Sequence, residues 1–517
     1  MNLMVQPRAQ GRVVRNRFAR DILTFLMVCG PGLIVMEADN DAGAVSTYIQ
    51  AGAQYGTHLL WLLALLLPVT YFVQEMVVRL GIATGQGHAA MIYQRFGKWW
   101  GRFSLLDLQL VNFLTLVTEF AAIALAVERL GVRPVIGVPI AAAALVALVL
   151  TGSYRRWERI VVVLCLLDLT WLALAWKFSP GAGEIVRRAV VPSLPHGGIT
   201  FDFAFLVIAI VGTTIAPWQL FFQQSSIADK RLRFADLNFA RLDTLLGAAF
   251  TVVVAGCMML AGNAALRHGI HFTDPAQMAV ELGRIFGPWV RNAILLLMIN
   301  ASALGTTAIS LSSAWAYGEV SGGRHSLEGN PRDAAGFYAV YVACVALAAG
   351  IVLIPRAPLE LIIVGVQVLA GLMLPSAIVF LQLLLNDREL LGEEFANKPW
   401  NNVVNWTIVA VLFALSLVLA AQVLLAPTVA HASSVPHRHS CWNAPGRMDR
   451  YENVLRAALP YGRASVSGVH LRSNICPTRR RDREGALVGS RVFSRVSMCG
   501  ASGPGLRLEA CATGGMK

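Results

Sequence analysis

Apolar residues run in long blocks along this chain from residue 21 to about residue 426, and the polar breaks between the blocks are short. A helix that crosses a bilayer needs about 20 such residues. Eleven blocks meet or approach that length: 21–53, 57–83, 103–128, 131–151, 158–177, 203–225, 243–266, 289–317, 335–354, 357–385 and 403–426. The pattern predicts an all-α polytopic membrane protein with about 11 transmembrane helices over 21–426, preceded by a basic segment at 1–20. The first, sixth and eighth blocks are the least uniform. From about residue 427 the apolar blocks stop. The stretch 427–517 is rich in Ser, Gly and Arg and contains TRRRDRE, so it is expected to be a disordered basic tail. Its abrupt change of composition also fits an end foreign to the rest of the chain, such as a shifted reading frame. His431, His437 and His439 lie near its start and read as coil rather than as a metal cluster.

Composition sharpens this picture. The chain has 517 residues, 56% of them hydrophobic and only 14% charged, whereas a soluble domain is nearer a quarter charged. The net charge of +13 would suit nucleic acid, but its placement does not. Fourteen of the 43 Lys and Arg lie in the last ninety residues, and most of the others sit in short loops between apolar blocks. With the N-terminus placed in the cytoplasm, the inner segments hold twenty basic residues before the tail and the outer segments nine. Positive charge accumulates on the cytoplasmic side. The expected location is therefore the plasma (inner) membrane, multi-pass, with a cytoplasmic N-terminus. The lipid bilayer is then a partner and nucleic acid is not. Cys29, Cys165, Cys257 and Cys344 lie in apolar blocks as small hydrophobes, and the tail cysteines lack metal-ligand spacing. No cleavable signal peptide is read at the start, because the first apolar run is too long and lacks a small-residue cleavage site.

Three acids interrupt the first block, which reads GPGLIVMEADNDAGAVSTYIQAGAQYG: Glu37, Asp39 and Asp41. An ionisable group at membrane depth costs roughly 2.5–3.5 kcal/mol on insertion scales, and such groups mark pathways or binding sites. Gly43 and the small residues beside it permit an unwound segment, which at this depth must line a cavity. Asp39 and Asn40 can also cap a half-helix, and the two roles are compatible. In the sixth block, FLVIAIVGTTIAPWQLFFQQS, Gly212 and Pro217 bracket a second interruption. Proline removes a helix hydrogen bond and frees a carbonyl upstream, so Thr213 can offer a backbone oxygen. Breaks five spans apart are what two inverted five-helix repeats produce, with a binding site between them at the midplane. Glu119 in the third block is a candidate for a proton or ion pathway, as is Glu37; Asp168 and Glu75 are weaker ones.

Taken together, IQAGAQYG, LLW and RLGIATGQG (residues 49–87), GTTIAP (212–217) and YRRWERI (154–160) make the chain resemble the Nramp (natural resistance-associated macrophage protein) family of divalent-metal transporters, and within it the branch near the magnesium-transporting members. The resemblance covers about residues 21–425. It implies a LeuT-type 5+5 inverted-repeat fold and a secondary transporter that moves a divalent cation, Mn2+ or Mg2+, by alternating access. The ion is then cargo, no cofactor is required, and the chain is not an enzyme. Along the family's first-span motif Asp-Pro-Gly-Asn, Asp41 keeps the aspartate while Ala42 and Ala44 replace the proline and the asparagine. Along the sixth-span motif Met-Pro-His, Ala216 and Trp218 replace the thioether and the imidazole. Gln367, eight residues before Pro375, matches a family glutamine that approaches the ion. The implied ion site is Asp41, Asp39, the Thr213 carbonyl and Gln367, and Glu119 stands where the family has a third-span acid linked to proton movement. Loss of the thioether leaves an oxygen-dominated site, which suits Mg2+, Ca2+ and Mn2+. The alternative is an organic-solute symporter of amino-acid type with the same fold. No phosphate-cradling glycine motif and no HExxH motif is present in the sequence.

Overall fold

The computed structural model describes residues 21–432 except 22–23, 26, 196–197, 199, 329 and 355–358. In the last two long helices the side chains of 359–362, 364–365, 367–368, 372 and 419–432 are outside the description. All regular elements among the described residues are helical: α1 Pro31–Glu37, α2 Ala42–Tyr55, α3 Leu60–Thr84, α4 His88–Phe96, α5 Lys98–Arg129, α6 Pro134–Val149, α7 Tyr154–Leu167, α8 Thr170–Phe178, α9 Ala182–Val190, α10 Phe201–Thr214, α11 Pro217–Lys230, a 3-10 turn Phe234–Asp236, α12 Leu237–Arg267, α13 Pro275–Phe286, α14 Pro288–Ser321, α15 Ala335–Val352, α16 Leu359–Leu385, α17 Arg388–Phe395 and α18 Pro399–Ala432. From residue 433 the expected tail lies outside the described residues; its first residues, 427–432, are helical rather than coil, His431 among them, because α18 continues to Ala432.

Eight helical stretches are long and apolar enough to cross a membrane, and a ninth is made by the end of α16 with α17, bent by 72°. The difference from eleven has a local cause. The first apolar block is split into α1 and α2, each too short to span alone, and the fourth block forms α6, only 16 residues long. Each of the eleven blocks carries helix among its described residues, and two of them, the first and the fourth, hold no helical stretch of span length. Proline starts several helices at the first helical position, where its missing N–H costs nothing: Pro31, Pro134, Pro217, Pro275 and Pro288. Five exposed tryptophans sit at helix ends, Trp99 and Trp100 on α5, Trp176 on α8, Trp289 on α14 and Trp400 on α18, while Trp406 lies two turns into α18. A helix end is where an amphipathic ring meets the headgroup layer.

α12 is the rail on which the split first helix lies. It packs on both α1 and α2 as well as on α3. Small residues let the backbones touch, as they must between membrane helices that have no hydrophobic drive to associate. A Cβ on Gly52 would stand 1.9 Å from the Met259 carbonyl oxygen, and one on Gly262 would stand 2.0 Å from that of Ile49. Nearer the start of α12, a Cβ on Gly247 would stand 2.9 Å from the Gly32 carbonyl oxygen. Asp243 closes this end: its carboxylate accepts from the backbone N–H of Gly32 at 2.7 Å and of Gly30 and Leu33 at 3.2 Å, the orphan donors that open α1. Lys230, the last residue of α11, donates to the Val28 and Cys29 carbonyls and to Glu158 at 2.6 Å. Glu75, one of the weaker pathway candidates, is instead an ion-pair partner: its carboxylate is 2.6 Å from Arg241 and 3.3 Å from Arg79.

Candidate functional site

Between α1 and α2 the chain leaves the helical path at residues 39–41, and this is where the acids are. Asp41 has extended backbone (φ −68°, ψ −175°) and caps α2, its carboxylate accepting from the Ala44 N–H at 2.8 Å. Its other partner comes from α5. Glu119 accepts from the Ala42 N–H at 3.2 Å, and its carboxyl lies within hydrogen-bond reach of Asp41. Both side chains are buried, as is Asp39. Asp39 Oδ2 and Glu119 Oε1 have no hydrogen-bond partner among the described residues. Buried acceptors without donors are costly, and they are the signature of a site completed by something else.

A glycine makes room for this pair. A Cβ on Gly305 of α14 would stand 2.9 Å from the Glu119 carboxyl carbon and 3.0 Å from Asp41 Cβ. α14 packs along α5, and of its two glycines Gly305 is the one beside the two acids.

The second break separates α10 from α11. Ile215 and Ala216 are extended (ψ 96° and 147°) and Pro217 begins α11. A helical carbonyl at 213 would accept from the N–H four residues on, and Pro217 has none, so the Thr213 oxygen is free of its intrahelical partner. Gln219 ties off the new helix end by accepting from the Ala216 N–H at 3.1 Å. The two breaks are joined: α10 packs on α2, and the Tyr48 hydroxyl meets Thr214 Oγ1 at 2.8 Å. Trp218, at the position where the resemblance expects a histidine, is buried and carries an indole N–H without a partner among the described residues.

The structure thus brings Asp41, Asp39 and Glu119 into one buried region and places Thr213 at the neighbouring break. Gln367 lies on α16, and its side chain is outside the described residues. Glu37 ends α1 and belongs to a separate group with Asp168, Asn40 and Asn300. Sequence reasoning passed over Tyr48, Gly305 and Asn300. Asn300 carried a usable signal, an amide in an apolar block; a glycine in a helix of small residues carries almost none.

Chemically, the groups that the structure brings together here are oxygen donors: carboxylates, a freed carbonyl and hydroxyls. Such a donor set suits a hard cation.

Comparison with known proteins agrees with the geometry. Over residues 32–422 the chain matches the family described as natural resistance-associated macrophage protein-like. It is 26% identical to the divalent metal cation transporter MntH of Staphylococcus saprophyticus, covering 79% of this chain and 94% of that protein. It is 27% identical to the protein of the same name from Latilactobacillus sakei, covering 77% and 90%. In three dimensions it resembles the crystal structure of the Eremococcus coleocola manganese transporter, with TM-score 0.66 and 20% identity over 86% of this chain and 94% of that one. At that identity the likeness speaks for the fold alone, a LeuT-type inverted repeat. With its two broken helices facing each other and a match that spans most of its length, the chain belongs to the natural resistance-associated macrophage protein (Nramp) family.

Proposed function

We propose that this chain is a secondary transporter that carries a divalent metal cation, Mn2+ or Mg2+, across the plasma membrane by alternating access, with its N-terminus in the cytoplasm. The observation that carries the reading is Asp41, an anionic cap at the break of the first helix, buried beside Glu119 and Asp39. Family membership and the names of the relatives support the divalent cargo. The ion is held by Asp41, Asp39, the Thr213 carbonyl and Gln367. Glu119 positions the α2 start by accepting from Ala42 and shares the negative charge of the pocket. Access alternates by rocking and hinging at the two breaks, where backbone is already non-helical and its reorientation costs little regular hydrogen bonding. An organic-solute symporter of this fold would need a free half-helix N-terminus for a carboxylate. Here the α2 N-terminus is already occupied by Asp41.

The test is uptake into proteoliposomes of Mg2+, Mn2+ and Ca2+ in parallel, with internal pH recorded. Accumulation of a divalent ion above protein-free vesicles is expected. Vesicles that take up none of the three would overturn the reading.

Selectivity follows from the missing sulfur. Ala216 is buried at the second break, directly before Pro217. Replacing it with methionine adds a soft donor from which Cd2+ gains most, Mn2+ slightly and Mg2+ hardly at all. It also fills space that a water on Mg2+ needs, and Mg2+ gives up its water reluctantly. Ala216→Met is expected to shift the ratio of Cd2+ to Mg2+ inhibition constants by about tenfold, equivalent to ~1.4 kcal/mol. Competition uptake in one liposome preparation measures it. An unmoved ratio means that position 216 does not face the ion.

A further inference from the structure

A second group of buried oxygens lies on the α1 side of the break, apart from Asp41 and Glu119. Glu37 closes α1, Asp168 follows α7, and Asn300 comes from α14. The Glu37 and Asp168 carboxyls are within hydrogen-bond reach of each other, and both are almost wholly buried, at 0% and 1% exposed. An amide is turned onto each of them. Asn40 Nδ2 donates to Glu37 Oε1 at 3.2 Å and to the Thr251 carbonyl at 3.3 Å. Asn300 Nδ2 donates to Asp168 Oδ1 at 3.0 Å and to the Leu164 carbonyl at 3.0 Å.

Each amide therefore spends its donors on one carboxylate oxygen and one carbonyl. That leaves four buried acceptors that no described donor reaches: Asn40 Oδ1 and Asn300 Oδ1, and Glu37 Oε2 and Asp168 Oδ2, which face each other with at most a proton between them. No Lys or Arg among the described ion pairs touches either carboxylate. A buried polar network left half satisfied is worse than an apolar one, so a group of acceptors lacking donors calls for a positive charge. Two carboxylates and two amide oxygens form a hard, all-oxygen set whose charge is cancelled by one divalent ion.

We propose that Glu37, Asp168, Asn40 and Asn300 form a second binding station for a hard divalent cation, separated from Asp41 by the break and linked to it along the chain by Asp39. The choice of ion class rests on the transport reading above; the site itself rests on the four oxygens that no described donor reaches. Its position between α1, α7 and α14 makes it a place where the cargo pauses on one side of the central site. Two ions this near each other repel, so the station speeds departure from Asp41 rather than storing ions, as neighbouring sites do in conducting pores.

Mn2+ binding to the purified full chain in detergent, followed by titration calorimetry and by the paramagnetic signal of free Mn2+, tests this. Asp41→Asn is expected to retain one Mn2+ site. Adding Glu37→Gln or Asp168→Asn to it is expected to weaken that remaining site at least a hundredfold, while either change alone leaves one site at Asp41. The two changes come from different helices and preserve volume, so a variant that fails to elute as a folded monodisperse peak is replaced by the other. An Asp41→Asn chain that binds no Mn2+, while the wild type binds one ion, overturns the second station and leaves the transport reading standing; a proton alone between the carboxyls gives that result. A wild type that binds no Mn2+ overturns both.

Discussion

Asp41→Asn is expected to lower divalent-cation uptake in proteoliposomes by about a hundredfold or more while the protein remains folded in detergent. Both halves of that expectation come from the geometry. Asparagine is as good a helix cap as aspartate, so the bond to the Ala44 N–H and the start of α2 survive the change. What disappears is the charge. A hundredfold effect corresponds to roughly 3 kcal/mol, which is ordinary for removing one ionised ligand from a site where burial weakens solvent screening. Glu119 comes from α5, and one of its two oxygens is held by the Ala42 N–H rather than by the break itself. Near-normal uptake by a well-expressed Asp41→Asn protein would sink the assignment of this residue to the ion.

The second large effect concerns stability. Gly52→Val is expected to prevent correct assembly or to lower the melting temperature in detergent by many degrees. The Cβ of any residue at 52 would fall 1.9 Å from the Met259 carbonyl oxygen and 2.8 Å from the Asn263 nitrogen, both backbone atoms that no rotamer change can move. Overpacking a core costs about 1–3 kcal/mol when side chains can yield, and here they cannot. Gly52→Ala should show the same defect in weaker form. A thermal-shift series read by fluorescence-detected size exclusion decides it. An unchanged melting temperature for the valine variant would mean that α2 and α12 are not in backbone contact.

Much of this architecture could be read from the chain. Eleven apolar blocks announced eleven helical regions, and the acids at 37, 39 and 41 with the Gly212–Pro217 pair announced both breaks. The number of span-length helices could not be read so easily. α6 has only 16 residues, and α1 ends at Glu37 because the backbone turns aside to form the pocket, a tertiary event with no periodic trace. Within the site, single-residue signals were legible and pairings were not. Asp41 and Glu119 each stood out as charges in apolar surroundings, but their meeting depends on a contact between Ala42 and Glu119, 77 residues apart. Glu75 looked the same as they do in sequence and is neutralised by Arg241 and Arg79. Gly305 was invisible because its role is to be absent: the room it leaves is the contribution.

The rail formed by α12 has a further implication. Gly247 touches the first half of the split helix and Gly262 the second, and fifteen residues of continuous helix separate them. At 1.5 Å per residue that is a fixed spacing of roughly 22 Å. α12 thus works as a ruler: the width of the gap that holds the acids is set by a neighbouring helix before any ion arrives. Such a gap can be retuned without touching a ligand. One residue inserted in α12 between 247 and 262 would turn one contact about 100° away from its partner. Ligand swaps alter what the pocket prefers, whereas length changes in α12 would alter whether there is a pocket at all.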